Sequence, residues 1–193
     1  PLGFATHYID AATEATPLFY LKYALKSGDA AVLDVLPSYW DMFIGHMAGS
    51  MGEISALLLL IGGLVLICTK VITWHIPVVM LATMAGWCAI AGLCGTLPEG
   101  LTTGSYILYE LLSGGAILGA FFMATDSDVC SSDLMTGWGK VIYAFGIGFI
   151  VMAIRTWGDY PEGVSFAILI MNAVVPLLNR LQPKRFGEVH KAK

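Results

Sequence analysis

The sequence predicts an all-α integral membrane protein. Apolar residues make up 57% of the chain and charged residues only 12%, about half the charged share of a soluble domain. Five apolar runs also follow one another after residue 50, so the apolar surface is too extensive for one small core. Glycine, at 22 residues, suits helices that approach closely in a bilayer. A net charge of −4 gives no reason to expect nucleic acid.

The runs are Ile54–Thr69, Ile76–Leu97, Tyr106–Ala124, Val141–Ile154 and Gly163–Leu178. A helix needs about 20 residues to cross ~30 Å of hydrocarbon. The second and third runs meet that length. The others need flanking residues, tilt or a thinner bilayer. Glycine, proline or charge bounds each run, which favours separate spans over one long helix. Residues 1–50 form a mixed segment, 51–179 a membrane domain of about five spans, and 180–193 a basic tail. The chain begins at Pro1 with no signal-peptide pattern, which reads as a fragment lacking its N-terminal part.

Loop charge sets the orientation. Lys70 lies in the first loop, Lys140 in the third, and Arg180, Lys184, Arg185, Lys191 and Lys193 in the tail. The second loop has no Lys or Arg, and the fourth has Arg155 beside Asp159 and Glu162. The positive-inside rule then places the C-terminus in the cytoplasm and residues 1–50 outside. Trp40, Trp74, Trp138 and Trp157, near run ends, read as interface anchors, and mid-span Trp87 as a packing residue.

Two stretches admit two readings. Gly45–Glu53 and Ser113–Ala116 are either irregular backbone lining a cavity or small residues at a close helix contact. Glu110 falls inside the third run, where an acid is costly and often lines an ion path. It also lies only four residues after Tyr106, near the interface. Glu53, just ahead of the first span, is expected to solvate a helix end or line the broken segment. Asn172 and Pro176 suit an interhelical hydrogen bond and a kink. Cys68, Cys88 and Cys94 sit in apolar runs and read as small buried hydrophobes. His46 and His75 lack companions at metal-ligand spacing.

The segment Asp10-Ala11-Ala12-Thr13-Glu14-Ala15-Thr16-Pro17-Leu18 is polar, with two hydroxyls, two acids and a proline stop. Taken alone, Thr16 is a helix cap or a loop residue. The segment resembles the flavinylation motif of the RnfD and NqrB subunits: Asp, two variable residues, Ser or Thr, a small residue, then Ala-Thr. The resemblance continues in order along the chain. It takes in Gly45-His46 with Gly49–Leu57, Trp74–Pro77, Leu112–Gly115 with Gly119–Asp126, Ile154–Gly158, Tyr160–Ala167 and Pro183–Glu188. Gly45-His46 and Arg155-Thr156-Trp157-Gly158 make RnfD the nearer match. Glu14 stands where the family has Gly or Ser, and Ser127–Leu134 departs from its pattern.

The resemblance implies FMN esterified through its phosphate to Thr16 by a flavin transferase, with Asp10, Thr13 and Ala15 as the matching motif positions. It leaves open a second, non-covalent flavin and a role for Arg155 at the flavin phosphate, against plain snorkelling. The topology argument separately places Thr16 outside, where the transferase is implied to act. The resemblance further implies the second, inverted-repeat half of a larger subunit in a bacterial or archaeal cell membrane. That subunit would relay electrons in an Rnf-type complex coupling ferredoxin:NAD+ oxidoreduction to Na+ or H+ movement, with Glu110 and Glu53 as ion-path candidates. It would hold no complete active site of its own. A solute channel or transporter with broken helices and no redox cofactor is the alternative.

Overall fold

The computed structural model describes residues 16–28, 32–33, 36–46, 52, 54–97, 100–126 and 137–180. Every regular element among them is helical. Two short helices, α1 (Pro17–Ser27) and α2 (Tyr39–Ile44), precede the bundle. The bundle holds α3 (Ala56–Cys68), α4 (His75–Leu93), α5 (Thr103–Leu112), α6 (Ala116–Leu118), α7 (Gly137–Trp157) and α8 (Val164–Arg180). A π-helical turn, Gly119–Met123, continues α6.

The helix starts follow local chemistry. Ser55 Oγ accepts from Leu58 N–H ahead of α3, and Thr102 Oγ1 from Ser105 N–H ahead of α5. Pro17 opens α1, where its missing N–H costs nothing. Gly28 ends that helix at φ 71°, its N–H on the Ala24 carbonyl.

The core is built from stripes at helical spacing. Ile76, Met80, Met84 and Cys88 of α4 meet Tyr143, Ala144, Ile147 and Val151 of α7, and Ala167, Met171 and Val175 of α8 join the same core, with α8 packed against α7. The outward faces are apolar too: Val78, Ile90, Phe145, Phe149, Leu169 and Leu177 are exposed. A helix apolar all round belongs in lipid. There, association depends on packing and interhelical hydrogen bonds rather than on escape from water. A Cβ on Gly148 would lie 2.8 Å from the Met80 carbonyl oxygen, which shows how closely α4 and α7 approach. Tyr143 donates to Asn172 Oδ1 at 2.7 Å, the interhelical bond expected of Asn172.

The runs and the helices agree in order but not in length. By length and composition α4 and Trp138–Trp157 of α7 can each cross a bilayer. The fourth run is therefore longer than its apolar stretch. Its helix extends past Lys140, which reaches Thr73 Oγ1, and past a buried Arg155. The third run is broken: α5 and Ala116–Met123 are bent by 64°. With that pair taken as one span there are up to three among the described residues, and α3 and Val164–Leu178 are shorter apolar helices.

Of the three cysteines placed in apolar runs, Cys88 is buried, but Cys68 and Cys94 are exposed, because they sit at the ends of α3 and α4. Trp40, Trp74, Trp138 and Trp157 are exposed. Trp87 packs edge-on against Phe149 and Trp157. Cys130, the rest of 127–134 and the tail beyond Arg180 lie outside the described residues.

Candidate functional site

The break in the third apolar run is organised around one side chain. Gly114 and Gly115 both take positive φ, 65° and 62°, which stops α5 and lets the chain restart at another angle. Such a break leaves carbonyls at the end of α5 without helical partners. Arg155 of α7 supplies the donors. Its Nη1 donates to the Glu110 carbonyl at 2.6 Å and to Glu110 Oε2 at 2.7 Å. Its Nη2 donates to the Gly114 carbonyl at 3.0 Å and the Ser113 carbonyl at 3.3 Å.

The ion pair is dry, with side-chain exposures of 2% for Arg155 and 3% for Glu110. Burying two charges is costly, and only paired, hydrogen-bonded charges tolerate it. Arg155 therefore does not snorkel; it points inward and holds the break. The Tyr106 hydroxyl faces the Glu110 carboxylate, and Arg155 Nε is buried without an acceptor.

Helix α1 lies against this joint. A Cβ on Gly114 would lie 2.6 Å from Leu18 Cδ2 and 2.7 Å from Arg155 Nη2, so Leu18 and the guanidinium both lie against the break. Two lysines fasten α1 to the α7–α8 loop: Lys22 Nζ donates to the Tyr160 carbonyl at 2.7 Å, and Lys26 pairs with Asp159 at 3.4 Å. Desolvation, and then the neighbouring Lys26 charge, lower the Lys22 pKa.

Two cavities flank the joint. One, of about 160 Å³, is bounded by Gly114, Gly115, Leu118, Glu162, Ser165 and Phe166. The other, of about 180 Å³, lies between Lys22, Lys26, Thr96, Tyr106, Arg155 and Thr156.

Thr16, the expected flavin acceptor, is the N-cap of α1, two residues before Leu18. It is half-buried, and its side chain makes no capping hydrogen bond. The helix N-terminus beside it favours a phosphate. A phosphoester on this hydroxyl therefore fits the residues present. Asp10, Thr13, Ala15 and Glu53 lie outside the described residues. Among the described residues no cluster of three His, Cys, Asp or Glu could hold a metal. His75 stacks on Trp74, with ring centroids 4.1 Å apart. The tie between Arg155 and residues 110–114 has no local sequence signal. An arginine and an acid, each near the end of an apolar run, are the only hint.

A family model described as the NQR2, RnfD, RnfE family matches residues 2–187. The chain is 44% identical over 194 residues to a subunit of the Na(+)-translocating ferredoxin:NAD(+) oxidoreductase complex of Acetobacterium woodii, covering 98% of this chain and 54% of that protein. It is 43% identical over 186 residues to the corresponding subunit of the proton-translocating ferredoxin:NAD(+) oxidoreductase complex of Clostridium ljungdahlii, covering 93% and 52%. It is 39% identical over 187 residues to that of the ion-translocating oxidoreductase complex of Stutzerimonas stutzeri, covering 95% and 51%. The chain thus spans about half the length of the curated relatives it matches. On the family match and these identities, the chain belongs to the NQR2, RnfD, RnfE family.

Proposed function

We propose that this chain is part of a membrane subunit of an Rnf-type, ion-translocating ferredoxin:NAD+ oxidoreductase complex, and that it carries FMN on Thr16. The observation that carries the reading is Thr16 itself. Its uncapped hydroxyl stands at the N-terminus of α1, in a segment resembling the flavinylation motif. The names of its relatives, all of ion-translocating oxidoreductases, support the complex.

FMN supplies one- and two-electron exchange when bound. This chain's residues hold it in place: the ester fixes one end, and Leu18 seats α1 on the broken span. A second, non-covalent flavin stays within the proposal. The subunit takes its redox partners from other subunits, and a flavin transferase loads it from the outer side of the cell membrane. The C-terminus is cytoplasmic. In a subunit of its relatives' length, the remaining half would be a set of spans related to this one by inverted repeat. Glu110 and Glu53 are the ion-path acids. Because Arg155 engages Glu110, ion passage at that residue requires the pair to open.

The test is in-gel flavin fluorescence of the full-length subunit after denaturation, co-expressed with its transferase, beside Thr16→Val. A fluorescent band lost only in the variant is the expected result. Two dark bands, with a transferase active on another substrate, would remove the assignment and favour the transporter alternative.

A further inference from the structure

We propose that the oxygens gathered around Arg155 form a binding site for a small alkali cation, which the guanidinium occupies and closes in this conformation. The inference rests on the reading of the chain as part of an ion-translocating complex, and it names where the ion and the protein's own cation compete.

Four oxygens converge on one positive group: Glu110 Oε2 and the carbonyls of Glu110, Ser113 and Gly114. Carboxylate and carbonyl oxygens are the ligands hard cations prefer. The unwound end of a discontinuous membrane helix is where such carbonyls become free to bind them. The charge selects the class. One buried carboxylate balances one positive charge, so the site holds either the guanidinium or a monovalent ion. Both together would leave excess charge in a dry interior.

Two cavities border the joint, one lined by Gly114 and Gly115 and the other by Tyr106 and Arg155. The second, about 180 Å³, has room for the displaced guanidinium beside Thr96 and Thr156. Arg155 Nε has no acceptor in the closed position, so closure does not satisfy all of the side chain's donors. A permanent clamp, by contrast, would give the site no preference among cations.

The test uses the full-length subunit in its purified complex. Thermal unfolding of wild type, Arg155→Ala and the double variant Arg155→Ala with Glu110→Gln is measured at constant ionic strength. The salts are sodium, lithium, potassium and choline chloride. Removing the tethered cation is expected to create saturable stabilisation of Arg155→Ala by sodium or lithium over choline. A shift of roughly 1–3 °C is expected at ten times the half-saturating concentration, because the full-length relatives are about twice the length of this chain. The double variant is expected to lose that shift, and wild type to lack it. Should Arg155→Ala not assemble, Arg155→Gln keeps an amide donor for the carbonyls without the charge and carries the same comparison. Equal stability in sodium and choline for the assembled variant overturns the proposal, as does a sodium effect that survives Glu110→Gln. Because flavin loading is not read, a dark Thr16 leaves this test standing. A complex that moves no ion yet shows the cation effect would fault the functional reading alone.

Discussion

Replacing Glu110 by glutamine or Arg155 by leucine tests the joint from its two sides, and the two changes are not equivalent. Both side chains are at most 3% exposed, so solvent does not soften the loss. Breaking a buried pair by removing one partner costs about 3–5 kcal/mol. With Glu110→Gln, the guanidinium still has the carbonyls of Glu110, Ser113 and Gly114 to solvate it. That places the expected loss near the lower end, about 3 kcal/mol. With Arg155→Leu, one carboxylate and three carbonyls lose their donors together, so about 5 kcal/mol is expected, the upper end of the same range. Combining the two is expected to cost less than their sum, by about 0.5–3 kcal/mol, because the double variant leaves no unpaired charge. The assay is denaturant unfolding of the purified full-length subunit in sodium-free choline buffer. Losses under about 1 kcal/mol for both single variants, the value of an exposed pair, would refute a dry joint held by Arg155.

Three other outcomes follow from the packing and the charges. Gly148→Ala would push a methyl against the Met80 carbonyl and Thr83, with an expected loss of about 1–3 kcal/mol in the same unfolding assay. Asn172→Leu removes an acceptor of the buried Tyr143 hydroxyl and is expected to cost about 1–3 kcal/mol. The Lys22 pKa is lowered on folding from 10.5, chiefly by desolvation, so the unfolded chain binds more protons between the folded and unfolded values. The thermal midpoint of wild type minus that of Lys22→Gln is therefore expected to rise as pH increases through that window. A flat or falling difference would contradict the assignment.

The helices were legible because hydropathy reports which segments leave water, and each of the five runs overlaps a helix of the bundle. Their ends were less legible. In α7 the charges of Lys140 and Arg155 mark the edge of an apolar run without ending a helix, since one reaches Thr73 and the other turns inward. Ser113–Ala116 left two readings open, since glycine serves a break and a close contact equally well. Positive φ at Gly114 and Gly115 decides for the break. The partner of that break lies more than 40 residues away, and no local pattern encodes such a contact. The same limit applied to Glu110, whose cost in the membrane was readable but whose arginine was not. Thr16 is singled out by its motif alone. Its contact with the broken span through Leu18 follows only from the packing of α1.

Helix α1 acts as a splint. It rests on the hinge through Leu18 and is pinned to the α7–α8 loop by Lys22 and Lys26. A load applied at Thr16 therefore reaches the hinge through a single packed layer. The loop that receives the two lysines begins just past Arg155, so the same rigid piece also bears on the side chain that keeps the hinge shut. A displacement of α1 would be felt first at Gly114, where Leu18 and the Arg155 guanidinium both lie against the backbone.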